Sequence, residues 1–221
     1  PVMEGKGLLF KIFAGIDVFD IEVGTKDVEE FIQTVKNIAP TFGGINLEDI
    51  KAPESFEIEK RLVEELNIPV MHDDQHGTDI ISSAALFNAV ELAGKKTEDL
   101  KMVVSGAGSA ALACANMYVL LGLKVENILM FNSKGVLTKD NTSLSEMQLK
   151  YATDKKPMSL EEALVGADIF LGLSSGDIMT PKMLLTMADN PIVFAMANPN
   201  PEINYHLAVE TRKDIIMATG R

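Results

Sequence analysis

Met102-Val103-Val104-Ser105-Gly106-Ala107-Gly108-Ser109-Ala110-Ala111 is the stretch on which the reading of this chain turns. Three apolar residues of strand character run into a glycine turn, and the turn runs into Ala111 to Leu121, an apolar stretch of helix length. Strand, tight turn and helix in that order frame the pattern G-x-G-x-x-A, the fingerprint of a dinucleotide-binding unit. Gly106 permits the turn, Gly108 lets the backbone approach a pyrophosphate, and Ala111 lets helix and strand pack closely. Ser109 and Ala110 sit where the first amides of the helix and its dipole would face phosphates. Glycine-alanine turns also serve packing alone, so the flanking strand and helix carry the reading.

Downstream, Asn127 to Phe131 reads as the next strand and ends in Asn132-Ser133-Lys134. A site that prefers NAD usually places Asp or Glu near this strand end to hold the ribose hydroxyls. Neutral Asn132, with Ser133 and Lys134 beside it, favours a 2′-phosphate and hence NADP. An ordinary solvated loop lysine is the equal rival for Lys134, and NAD stays open. Ser143 with Glu146, and Ser159 with Glu162, have capping-box spacing. Asp168 to Leu173 reads as a strand ending at Ser174, Thr180-Pro181 as a helix start, and Ile192 to Ala197 as a strand stopped by Asn198-Pro199. A last strand begins at Ile215.

Upstream, Gly5-Lys6-Gly7 opens a short apolar helix, and Val18 to Val23 alternates as a strand should. Asp27 with Glu30 starts a helix to Ile38 by a capping box, Phe42 to Ile50 is a strand, Glu54 to Leu66 a helix and Val70-Met71 a strand. The order βαβαβ implies a parallel sheet. Acidic pairs close two of these strands, Glu48-Asp49 and Asp73-Asp74. Adjacent carboxylates are costly to keep ionised unless a cation or donors compensate them. Their recurrence at two strand ends points to a hard divalent ion, Mg²⁺ or Mn²⁺. Helix capping is the rival reading, and Thr78 is expected to cap the long helix that runs to Gly94. The cluster His72, Asp73, Asp74, His76 is too compact to wrap a tetrahedral zinc ion.

The fold class expected is therefore α/β: a parallel-sheet substrate and metal unit at residues 1–76, followed by a Rossmann-type dinucleotide-binding domain at residues 77–221. An active cleft is expected between them. At 221 residues with 47% hydrophobic content the chain can bury a real core. Its net charge of -12 argues against nucleic acid as a partner, no apolar stretch has membrane-spanning length, and the one cysteine, Cys114, excludes a disulfide framework. A cytoplasmic protein with a small buried cysteine is expected. Both ends look cut, so the chain is expected to be part of a longer protein.

Several segments in order then resemble the malic enzymes, the bacterial or archaeal type most closely: PVMEGK, FGGINLEDI, HDDQHGT, SGAGSAALA, NSKG, GLS and ANPNPE. The resemblance runs from Pro1 to Arg221. It implies oxidative decarboxylation of (S)-malate to pyruvate and CO₂ with a nicotinamide cofactor, and commonly a homo-oligomer such as a dimer. Residue by residue, it implies that Lys6 is the general base toward the substrate hydroxyl and that Glu48, Asp49 and Asp74 hold the metal. It makes Asp73 a neighbouring catalytic carboxylate and Asn198 a group that reaches substrate and nicotinamide. Ser174 and Thr78 fall on the cofactor side. A lysine is a poor base at its reference pKa of about 10.4, so Lys6 is expected to need burial or a nearby cation to lower it. The family's enol-protonating tyrosine belongs before Pro1, and its substrate arginine and second asparagine beyond Arg221, so this segment alone is expected to turn over little. Rival readings are an inactive or regulatory cofactor-binding fragment, and another Rossmann dehydrogenase such as an amino-acid dehydrogenase. The latter would need no paired acids at two strand ends.

Overall fold

The computed structural model describes residues 2–51 and 54–220; Pro1, which opens the first motif, and Arg221, which ends the resemblance, lie outside the described residues. Contacts divide the chain into two compact units, Pro1–Asp74 and Gln75–Arg221.

The first unit contains helices α1 (Val2–Ala14), α2 (Val28–Ile38) and α3 (Glu54–Glu65) and strands β1 (Ile45–Leu47) and β2 (Val70–His72). The two strands are parallel, with Ile45 opposite Val70 and Leu47 opposite His72. Their core is Ile32 and Val35 of α2, Leu47 of β1, and Ile58 and Leu62 of α3, the inward positions of helices whose apolar residues recur at helical spacing. Asp27 caps α2 by accepting the Glu30 N–H at 2.9 Å. The expected capping box is only half made: the Glu30 carboxylate accepts instead from Thr25 Oγ1 at 2.6 Å.

Two strand expectations need correction here. Val18 to Val23 forms no regular structure, and Val18, Phe19 and Ile21 are 40%, 70% and 46% exposed. A short alternating run makes a strand only where a neighbour takes its N–H and C=O groups. The strand expected over Phe42 to Ile50 contracts to β1, so βαβαβ reduces to βαβ around α3.

A third correction concerns the long helix. It is α4 (Asp73–Ala93), so the double aspartate forms its first turn and Thr78 lies inside it rather than capping it. Two carboxylates at the positive end of the helix dipole favour that earlier start.

The second unit holds a six-stranded sheet in the order β5-β4-β3-β6-β7-β8. Its strands are β3 (Met102–Ser105), β4 (Ile128–Asn132), β5 (Gly135–Val136), β6 (Ile169–Gly172), β7 (Ile192–Ala195) and β8 (Ile216–Thr219). All neighbours pair in parallel except the hairpin β4-β5. Strand alternation sends Met102, Val104, Ile169, Leu171, Ile192 and Phe194 to one face, with α4 and α5 (Ser109–Leu120). Val103, Phe170, Val193 and Ala195 face the other way, with Leu164 of α7 (Leu160–Leu164), Leu184 of α8 (Pro181–Thr186) and Ala208 of α9 (Tyr205–Thr211). A sheet buried on both faces explains why these strands read as unbroken apolar runs. Cys114 is fully buried on α5.

Ser159 caps α7 with a complete capping box, and Thr180 caps α8 with Pro181 at its first position. The Ser143–Glu146 box expected from spacing does not form. Asn141 Oδ1 takes the Ser143 N–H and hydroxyl, and the box shifts to Ser145 and Gln148 at the start of α6 (Glu146–Leu149). No helix among the described residues is long and apolar enough to cross a membrane.

Candidate functional site

In the first unit the parallel register of β1 and β2 decides the chemistry. Because Leu47 lies opposite His72, the acids that follow each strand come together. One ligand oxygen each from Glu48, Asp49 and Asp74 lies within 4.8 Å of the others, and no other trio of His, Cys, Asp or Glu does so among the described residues. Oxygens bound at about 2.1 Å to one octahedral Mg²⁺ or Mn²⁺ lie about 3 Å apart when adjacent and about 4 Å apart when opposite. The three hard oxygens therefore fit such an ion with small side-chain adjustment. Asp49 holds a left-handed backbone, φ 54°, a conformation that clusters at functional sites. Its N–H donates to Asp74 Oδ2 at 3.1 Å and ties the two strand ends together.

Lys6 of α1 reaches the same group. Its ammonium donates to Glu48 Oε2 and to Asp73 Oδ2, and its side chain is 21% exposed against 7% for Glu48. Burial lowers the Lys6 pKa, as expected, but the hydrogen bonds and charges of Asp73 and Glu48 outweigh it and raise the ammonium above its ordinary value. His72 is buried with Nδ1 3.9 Å from Asp74 Oδ2, while His76 turns to Asp79 of its own helix at 3.6 Å. The histidines do not join the trio.

In the second unit a cavity of about 640 Å³ opens at the carboxyl ends of β3, β4 and β6. That edge is where the strand order reverses, since β4 and β6 flank β3 on opposite sides. Gly106, Gly108, Asn132, Ser133, Lys134 and Ser174 line it. Ser109 and Ala110 form the first turn of α5 behind Gly108, and Ala111 is buried against the sheet. Gly106 has φ 121°, and an added Cβ would lie 2.5 Å from the Leu173 carbonyl oxygen, so only glycine fits the turn. Asn132 Oδ1 accepts the Lys134 N–H at 2.8 Å, which leaves its amide as a donor. A second cavity of about 400 Å³ shares Asn132 and Lys134 with the first. Thr78 and Asn198 line neither. Asn198 is exposed just beyond β7, and Thr78 is half-buried in α4.

Sequence reasoning missed Gln148, whose amide donates to the Ala107 carbonyl at 2.9 Å and helps line the pocket. It also missed Glu202, a buried carboxylate in the ANPNPE segment. The signal for Glu202 was its place in that segment; for Gln148 it was the capping-box spacing from Ser145.

Residues 75–221 match the malic enzyme NAD binding domain, and residues 24–63 match the malic enzyme N-terminal domain. An NADP-dependent malic enzyme of Halomonas elongata is 52% identical over the whole chain, which spans 52% of that relative. An NADP-dependent malic enzyme of Escherichia coli is 54% identical over the whole chain, which spans 29% of it. The crystal structure of the NAD-dependent malic enzyme of Thermotoga maritima superposes over the whole chain and 59% of its own, with TM-score 0.91 and 45% identity. The chain thus spans about half or less of the length of these curated relatives.

Proposed function

The chain belongs to the malic enzyme family, and on that premise we propose that its parent protein oxidatively decarboxylates (S)-malate to pyruvate and CO₂ while reducing NADP, with NAD the second cofactor. The observation that supports this best is the meeting of Glu48, Asp49 and Asp74 beside Lys6 and Asp73. Another Rossmann dehydrogenase would have no use for that acid trio. In this reading residues 1–76 form the metal and substrate unit and residues 77–221 the cofactor unit.

Glu48, Asp49 and Asp74 would hold Mg²⁺ or Mn²⁺, which when bound supplies Lewis-acid polarisation of the substrate's oxygen atoms. Lys6 is placed to take the proton of the substrate's 2-hydroxyl, and the nicotinamide, when bound, would supply the hydride acceptor. To accept that proton it must first give up its own, and Asp73 is the carboxylate already bonded to it. The fingerprint turn from Gly106 to Ala111 holds the pyrophosphate with backbone amides. Asn132, Ser133 and Lys134 offer an amide, a hydroxyl and an ammonium at the ribose end, a donor set suited to a 2′-phosphate. Ser174, Asn198 and Thr78 are assigned to the nicotinamide side, Asn198 also touching substrate. A cytoplasmic homodimer completes the reading.

The test is the initial rate of the full-length protein with malate, comparing NADP with NAD, first with Mn²⁺ and then with chelator. Chelator-sensitive reduction that prefers NADP is expected. Activity that survives chelation, or none with malate under any condition, would overturn the assignment.

A further inference from the structure

Glu202 is fully buried, belongs to neither the acid trio nor the pocket lining, and sits where two parallel strands stop. β6 and β7 pair as far as Gly172 and Ala195, and one more backbone bond joins the Met196 N–H to the Gly172 carbonyl at 3.0 Å. The amides of Ser174 and Ala197 lie just past that ladder. Glu202 takes both: Oε1 accepts from Ser174 and Oε2 from Ala197, each at 3.1 Å. Gly172 makes the space, because a Cβ there would lie 2.3 Å from the Glu202 carboxyl carbon. The Glu202 carbonyl accepts the Met179 N–H at 2.9 Å, which anchors the residue itself.

The Ser174 tie leads to the pocket, and the Ala197 tie leads to Asn198, assigned above to the nicotinamide side. Ser174 lines the pocket, and its hydroxyl bonds that of Ser105 at 2.8 Å, one residue before the Gly106 turn. Leu173, next to Ser174, carries the carbonyl on which Gly106 packs. Ala197 is followed at once by Asn198. Burial raises the Glu202 carboxyl pKa, with the amides of Ala197 and Ser174 pulling against it.

We propose that Glu202 is a positioning residue for the dinucleotide: by holding the backbone at Ser174 and Ala197 it sets the placement of Ser174, of the Gly106 turn and of Asn198. The inference rests on the cofactor reading given above. Glu202→Gln keeps the shape but turns an NH₂ toward one of the two amides, so one strand end loses its acceptor. In the full-length protein this variant is expected to bind NADPH about tenfold more weakly, because the displaced strand end presents Ser174 and the Gly106 turn to the ligand less well; the lost internal bond itself shows in the thermal unfolding. Glu202→Asp keeps the charge with a shorter reach and should fall between Gln and wild type. Mn²⁺ affinity should stay unchanged in both, because its proposed ligands belong to the other unit.

The experiment titrates NADPH by nicotinamide fluorescence and Mn²⁺ by paramagnetic relaxation in wild type and both variants, with thermal unfolding alongside. If the Gln variant does not fold, the Asp variant carries the same comparison. Selective weakening of NADPH supports the proposal. Wild-type NADPH affinity in a folded variant overturns it, and so does an equal loss of Mn²⁺ and NADPH binding, which marks general destabilisation. If wild type binds neither NADPH nor NADH, the cofactor reading fails and takes this inference with it.

Discussion

Neutralising Asp74 separates a metal ligand from a helix-capping carboxylate. Asp74→Asn keeps the side chain's shape and removes one charge from a group whose ligand oxygens lie within 4.8 Å of one another. With the Asp74 side chain 49% exposed, each like-charge pair at that spacing costs about 1 kcal/mol, and physiological salt roughly halves it. Asp74 belongs to two such pairs, with Glu48 and with Asp49, so its neutralisation relieves about 1 kcal/mol. Against this, Asp74 lies in the first turn of α4, where a carboxylate gains about 0.3–1 kcal/mol from the helix dipole. The bond from the Asp49 N–H survives in weaker form, because the Asn carbonyl can still accept it. The two effects nearly cancel. In chelator the variant of the full-length protein is expected to unfold within about 1 kcal/mol of wild type, a melting shift of about 2–4 °C at most.

Mn²⁺ then tells the two roles apart. At a free concentration about 100-fold above its Kd, a bound ion adds about 2.7 kcal/mol to wild-type stability. The variant, one carboxylate short, is expected to gain little. The assay is thermal unfolding followed by circular dichroism, first in EDTA and then with Mn²⁺ titrated in. A loss well above 1 kcal/mol in EDTA, together with an undiminished response to Mn²⁺, would refute the reasoning and leave Asp74 a capping residue.

Other perturbations address the second unit. Gly106→Ala combines φ 121° with a Cβ 2.5 Å from the Leu173 oxygen; it is expected to cost about 2 kcal/mol or more in urea unfolding and to weaken NADPH binding, and wild-type values in both would contradict the close-approach argument. Lys134→Ala should lower kcat/KM for NADP about tenfold while leaving NAD nearly unchanged, whereas equal losses would assign Lys134 to the loop alone. Asp214→Asn probes an ion pair: Arg212 donates to both Asp214 oxygens at 2.9 Å, and it holds the carboxyl at about 2, below its ordinary 3.8. A depressed folded pKa means stability present above about pH 4 and lost as the pH falls toward 2. The Asp214 side chain is 36% exposed, so screening leaves about 1 kcal/mol. The Asn variant should be less stable than wild type at neutral pH and converge with it near pH 2; a constant gap would contradict the assignment.

How much of this was legible beforehand follows from the range of each interaction. The Gly106 turn, the Ser159 and Thr180 caps and the buried strands of the second unit were readable because their causes lie within a few residues. Where two local solutions compete, reading fails: Ser143 and Ser145 each offer a cap, and Asn141 settles the choice by occupying Ser143. Val18 to Val23 fails for a different reason. Its alternation is real, but a strand is a pairing, and the partner is not written in the run itself.

The amino-acid order by itself determined that two strands carry acidic pairs toward their ends, that a fingerprint turn joins a buried strand to a helix, and that Asn132 and Lys134 stand where a carboxylate would serve NAD. Only the tertiary structure decided that Glu48, Asp49 and Asp74 meet, that Lys6 lies between Glu48 and Asp73, and that Glu202 spans the ends of β6 and β7. Those encounters depend on the register of Leu47 against His72 and of Gly172 against Ala195. Register is set by how whole faces pack, and a slip of one residue would shift one strand end past the other and part the groups that follow them.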